Sequence, residues 1–190
     1  MKGILFSADM ANAIYEGRKT TTRRPIKGAN SDWELHQFST GGVIRDLDSG
    51  NLSANFDIGG TPRFGRTVDL PYKIGDVLYV KEKWQAGSEF DHLRPTQIPL
   101  NAEINYLASP KIGEWGKVRS SLFMCEHQSR MRIKIVSVYV QRVNQISTIE
   151  AIAEGFQSVE EFEQKWESLY GIGQFDNRWV CVIKSGGKHE

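Results

Sequence analysis

Apolar positions along this chain follow two alternating rhythms. Residues 2–6 form a short apolar run of strand character. Met10, Ala13 and Ile14 then recur at helical spacing, so residues 8–16 read as a helix, with Asp9 as its N-cap or in its first turn and Gly17 closing it. Val77–Lys81 is an apolar, β-branched run after the Gly75-Asp76 turn and reads as a strand. Further on, Met131, Ile133 and Ile135 alternate with Arg130, Arg132 and Lys134, the period of a half-buried strand. The apolar phase then moves to Val136, Val138 and Val140, which predicts a β-bulge near Ile135 and Val136. Ser147 with Glu150 makes a capping-box start for a helix through Glu154, ended by Gly155. Ser158 with Glu161 repeats the signal for a helix over Val159–Tyr170, with Phe162, Trp166 and Leu169 on one face. Residues 179–183 form a closing apolar strand, and the polar tail 185–190 is expected to fray.

Two stretches break this rhythm. Residues 27–70 are rich in Gly, Asn, Ser and Asp. Within them, apolar segments at 43–47 and Leu52–Ile58 flank Asp48-Ser49-Gly50-Asn51, the pattern of an inserted β-hairpin. Residues 85–116, with Pro95, Pro99 and Pro110, read as a second irregular excursion. The order of elements suggests one α+β domain around a small curved or barrel-like sheet, carrying two insertions.

Composition narrows the classes. At 190 residues, with 39% apolar and 25% charged residues, the chain is long enough for one cored domain and too apolar to be mostly disordered. No apolar run reaches membrane-spanning length, and the short apolar stretch before Asp9 does not read as a secretory leader. Two cysteines, Cys125 and Cys181, make no disulfide framework, so a cytoplasmic setting is expected. Cys125, Glu126 and His127 are the one cluster of possible metal ligands, but on a strand such neighbours alternate sides; no metal and no cofactor are expected. A monomer or weak dimer without membrane contact is the expected state.

The net charge of +1 disfavours a dedicated nucleic-acid tracker, yet charge is unevenly spread. Residues 17–27 hold Arg18, Lys19, Arg23, Arg24 and Lys27 and no acid, a +5 segment that reads as a flexible cationic loop suited to phosphate contact. Residues 147–166 hold Glu150, Glu154, Glu160, Glu161 and Glu163 against Lys165, a net of −4. Inside the basic segment, Gly17-x-Lys19-x-x-Thr22-x-Arg24 places a lysine and a threonine three apart beyond a glycine that frees the turn. A threonine hydroxyl becomes a nucleophile when a base takes its proton, and a lysine beside other cations can be that base once neutral. Arg24 can steady an oxyanion, a base carbonyl or a phosphate. The plain alternatives are solvated cations for Lys19 and Arg24, a turn hydrogen bond for Thr22, and a helix end or an ion pair with Arg24 for Glu154.

These four positions are the G-x-K-x-x-T-x-R signature, and the chain resembles ASCH domains of the PUA-like superfamily. Gly75-Asp76-Val77-Leu78-Tyr79-Val80 is similar to the family's next strand, and Ile146-Ser147-Thr148-Ile149-Glu150-Ala151-Ile152-Ala153-Glu154-Gly155-Phe156 to its later helix. Residues 80–84 and 120–124 look like phage and prophage members, which would place the protein in a host cytoplasm. The resemblance implies a small curved β-barrel flanked by short helices, and a nucleoside or RNA as partner. Some small members are amidohydrolases that deacetylate N4-acetylcytidine with a Lys, a Thr and a Glu; those map here onto Lys19, Thr22 and Glu154. Arg18, Arg23 and Arg24 are then candidate substrate or nucleic-acid contacts. Glu82 beside Trp84, and Ser121 and Arg130 flanking a short apolar patch, are further candidates. Trp33 and Trp115, in the polar insertions, are candidates for base stacking. Where phage relatives often carry a histidine this chain has Phe123. The alternatives are a non-catalytic RNA or modified-base reader, a metal-dependent ribonuclease (for which no clustered Asp/Glu set is evident) and an accessory protein acting through protein contacts.

Overall fold

The structure is a computed structural model. It describes the backbone of residues 1–29, 34–35, 43–45, 52–58 and 61–189, and the side chains of residues 1–29 and 67–186. It is a mixed α+β chain with few helices. In order it runs β1 (Lys2–Leu5), α1 (Ala8–Tyr15), β2 (Thr21–Pro25), β3 (Glu34–Leu35), β4 (Val43–Arg45), β5 (Leu52–Ile58), β6 (Thr61–Asp69) and β7 (Val77–Lys81). Then come β8 (Trp84–Gln85), β9 (Asn105–Tyr106), β10 (Arg132–Arg142), α2 (Thr148–Ala153), α3 (Val159–Tyr170) and β11 (Trp179–His189), with five single 3-10 turns between them. A five-stranded sheet has the hydrogen-bonded order β1-β7-β10-β11-β2. β1 is parallel to β7; β7 and β10, and β11 and β2, are antiparallel.

The chain divides into two compact units, and the division falls within β10, between Lys134 and Ile135. The first holds Met1–Lys19, Val77–Lys134 and the end of β11. Ile4, Leu78, Val80 and Ile133 are buried along its strands, and Ala11, Ala13 and Ile14 bury one stripe of α1. Ser7 stands at the N-cap of α1 without a side-chain cap bond, and Asp9 lies in the first turn, where its charge suits the helix dipole. The helix ends through Gly17 at φ +77°. Beyond it the N–H groups of Arg18 and Lys19 both donate to the Ala13 carbonyl, at 2.8 and 3.0 Å. No atom would meet a Cβ built on Gly17. Gly17→Ala is therefore expected to cost about 1–2 kcal/mol through backbone strain alone, read as a lower urea midpoint at constant m. The excursion between β7 and β10 has its own apolar cluster of Trp84, Ala86, Ile98 and Met124.

The second unit holds Thr20–Asp76 and Ile135–Gly186. The hairpin anticipated in the first insertion is present: β4 pairs antiparallel with β5, Ile44 opposite Ser53. Its turn, 48–51, and Trp33 lie outside the described residues. β3 continues along the same edge of β5, and β6 pairs with the other edge. β6 was not legible as a strand because it contains Pro62 and Gly65, and an edge strand tolerates both. In β10, Ile133 and Ile135 are buried, Val136 is exposed and Val140 is buried again, so the phase changes between Ile135 and Val140.

Both helix starts form as the caps dictate. Ser147 and Glu150 make a reciprocal capping box on α2. Ser158 accepts from the Glu161 N–H, but the Glu161 carboxylate reaches one residue further back, to the Gln157 N–H at 2.6 Å. Phe162 and Trp166 bury the inner face of α3, with Phe156 and Phe175 edge-on to Phe162. Leu169 departs from expectation. It is exposed, because the last turn packs instead through Tyr170, whose ring centre lies 4.4 Å from that of Trp166. The tail also departs: β11 runs on to His189, fastened where Ser185 N–H donates to the Thr20 carbonyl at 2.9 Å. Among the described residues no helix is long and apolar enough to cross a membrane.

Candidate functional site

The segment expected to be a flexible cationic loop is a strand from Thr21 onward. β2 pairs residue by residue with β11, Thr22 opposite Ile183 and Arg23 opposite Val182. Thr21, Thr22 and Arg23 are all buried. Successive strand residues point to opposite faces, so Thr22 and Arg24 share the face opposite Arg23. A β-branched Thr-Thr pair suits this half-enclosed position.

Arg23 is the hub of a buried polar cluster in the second unit, its side chain wholly hidden from solvent. Nη2 lies 3.1 Å from Glu150 Oε1 and Nη1 donates to Glu154 Oε1 at 3.2 Å. The Gln141 side-chain oxygen, in the amide orientation that satisfies both of its ends, accepts from Nη2 at 2.8 Å and Nε at 3.3 Å. The Phe162 ring lies beneath the guanidinium, its centre 6.0 Å from Cζ. The sequence read Glu150 only as a capping residue. It is also the acceptor of the Tyr139 hydroxyl at 2.8 Å. Burial works to raise the Glu150 pKa, but the Ser147 backbone N–H, the Tyr139 hydroxyl and the Arg23 charge outweigh it and hold the carboxyl below its ordinary value. Tyr139 is pushed up to about 12, by burial first and then by its bond to Glu150.

Glu154 is the C-cap of α2 and is almost fully buried. The backbone ties this helix end to the signature strand: Thr20 N–H donates to the Ala153 carbonyl at 2.8 Å. Arg24 acts on Tyr72, whose pKa is raised by burial against the opposing pull of the arginine charge. Lys19 belongs to the first unit and is buried there, its ammonium 5.8 Å from the centre of the Phe6 ring. Arg18 is exposed and paired within its own turn, its Nε donating to Glu16 Oε2 at 2.6 Å. Of the five cations, then, Arg18 and Arg23 already have carboxylate partners and Lys19 is withdrawn from solvent. The segment is thus not wholly an exposed loop: Lys19 and Arg23 are buried, while Arg18 and Lys27 are exposed.

The remaining candidates lie in the first unit and separate into two groups. Glu82 and Arg130 form a bidentate pair, Nε to Oε1 at 2.9 Å and Nη2 to Oε2 at 3.1 Å. Arg130 Nη1 also donates to Ser109 Oγ, and its guanidinium carbon lies 4.3 Å from the Tyr15 ring centre and 4.4 Å from that of Tyr106. Burial raises the pKa of Glu82, and Arg130 opposes that rise without cancelling it. Trp84 is fully buried in the excursion's cluster and presents no face for stacking. Ser121 opens a single 3-10 turn over Ser121–Phe123, and Phe123 and Leu122 are exposed. Trp115 is half-buried, its indole donating to the Lys111 carbonyl. Sequence reasoning missed Tyr15, Tyr106, Ser109, Tyr139 and Gln141. Four of them are recruited by two arginines from distant parts of the chain, and Tyr139 by Glu150; no local spacing announces that.

Comparison with known proteins returned no matching family model, no matching curated protein and no matching solved structure.

Proposed function

We propose that this chain is an ASCH-type, PUA-like protein that binds a modified nucleoside beside the signature strand and deacylates it. The specific reaction is removal of the acetyl group from an N4-acetylcytidine-type base. The observation that carries the reading is the burial of the signature's polar residues together with the Thr20–Ala153 backbone bond, which holds the signature strand against the helix end bearing Glu154. Buried polar side chains gathered at one strand suit a small enclosed ligand better than a long backbone. The internal pairing of Arg18 and Arg23 argues in the same direction, since phosphate tracking needs uncommitted cations.

In this reading the Thr22 hydroxyl attacks the acetyl carbonyl as Lys19 takes its proton. The C–N4 bond breaks, and the proton passes to the departing amine. Water then frees acetate from the threonine ester. Glu154, bonded to Arg23 on the other face of the strand, takes no step in this chemistry.

The test is release of acetate from N4-acetylcytidine by the purified chain, with equilibrium binding of cytidine, N4-acetylcytidine and short RNA measured beside it. Turnover supports the reading. Saturable binding without turnover reduces it to a reader of modified bases. Absence of both binding and turnover refutes it.

A further inference from the structure

Trp84 and Arg119 face each other in a two-way backbone bridge. Arg119 N–H donates to the Trp84 carbonyl at 2.8 Å, and Trp84 N–H to the Arg119 carbonyl at 3.3 Å. Residues opposed in this way project their side chains to the same side. The Arg119 guanidinium carbon accordingly lies 5.4 Å from the Trp84 ring centre. Both residues are buried, Trp84 at 0% and Arg119 at 6% exposure. Arg119 commits Nη2 to the Phe90 carbonyl at 2.7 Å and Nη1 to the Leu93 carbonyl at 3.1 Å. Two nitrogens have no partner at all, the Trp84 indole Nε1 and the Arg119 Nε, and both are buried. Native proteins rarely leave such groups idle, and here two occur on one bridged pair. Arg119 also lacks a carboxylate partner among the described residues, although its guanidinium is always charged. Asp91, close by in the chain to Phe90, uses Oδ1 to accept the Lys117 N–H at 2.8 Å.

We infer that this donor pair is a site for one small monovalent anion of the halide class. The donor inventory separates an anion from a water molecule. A water accepting from both nitrogens would bring two O–H donors of its own, and it needs acceptors for them. Around Trp84 the side chains of Ala86, Ile98 and Met124 are apolar, the hydroxyl of the flanking Tyr106 is engaged with the Gln128 carbonyl, and the Phe90 carbonyl already accepts from both the Leu93 N–H and the guanidinium. A halide needs donors only, and it also offsets the buried positive charge.

The test uses the whole chain. Replacing gluconate by chloride at fixed ionic strength is expected to raise the thermal midpoint by about 2–4 °C and then saturate. Trp84→Phe keeps an aromatic ring, removes the indole donor and is expected to lose the saturable part. Should that variant fail to fold, wild-type crystals grown in bromide decide the matter. An anomalous peak within hydrogen-bond reach of Trp84 Nε1 and Arg119 Nε supports the site. A midpoint indifferent to the anion overturns it, as does a water-sized peak without anomalous signal or no peak at all.

Discussion

Arg23→Ala is expected to destabilise the protein by about 3–5 kcal/mol, the scale of removing one partner from a buried ion pair. The guanidinium stands among Glu150, Glu154 and Gln141 with no access to solvent, so no water replaces it. The readout is the urea midpoint at unchanged m, and Arg23→Lys should recover only part of the loss, since a single ammonium cannot reproduce the planar fork. A loss below about 1 kcal/mol would show that the cluster carries little of the fold. The same cluster sets the acid limb of stability. The folded pKa of Glu150 lies below its ordinary 4.5, so its contribution is fully present above that value. It is lost as pH falls through the depressed pKa. Wild-type protein should therefore lose stability on acidification below about pH 4.5, and Arg23→Ala should show a shallower acid limb.

On the proposed deacylation, Thr22→Ala is expected to lower kcat for acetate release by at least about 10³-fold, as deletion of the proposed nucleophile would, while Thr22→Ser retains part of it. The cost to the fold should be small, about 1 kcal/mol, because β2 keeps its backbone pairing with β11. The two variants divide the signature strand by face. Arg23, on one side, is expected to fail in folding; Thr22, on the other, in turnover. Unchanged kcat in Thr22→Ala with wild-type turnover intact would remove threonine from the chemistry and leave the binding role standing.

The parts of the fold legible from sequence are those whose cause is local. Ser147 with Glu150 sets the start of α2 and Ser158 that of α3 within four residues of chain, and both starts form as read. β7 and β10 were legible because one face of each meets the core and leaves an alternating trace. β2 was not, since its buried residues are Thr21, Thr22 and Arg23, and the composition of a strand enclosed among polar partners imitates that of a solvated loop. The run Thr20-Thr21-Thr22 was the available clue, through its β-branching. The site shows the same limit. Arg130 was read as a residue flanking an apolar patch, but Glu82 reaches it across 48 residues and Ser109 across 21. Partnerships of that span are decided by the fold.

The stacked Arg130 also bears on protein engineering. Its two rings come from different parts of the first unit: Tyr15 closes α1, just before Gly17, while Tyr106 and its neighbour Ser109 belong to the second excursion. That excursion is therefore not an ornament that could be trimmed to reach a minimal domain. A chain spliced from Lys83 to Lys117 would delete Trp84, Ala86 and Ile98 from the cluster outright, strip the cover from Met124 and leave Glu82 buried beside an arginine anchored on one side only. Shortened versions should be cut elsewhere, and grafts of foreign loops into this region should retain Tyr106 and Ser109.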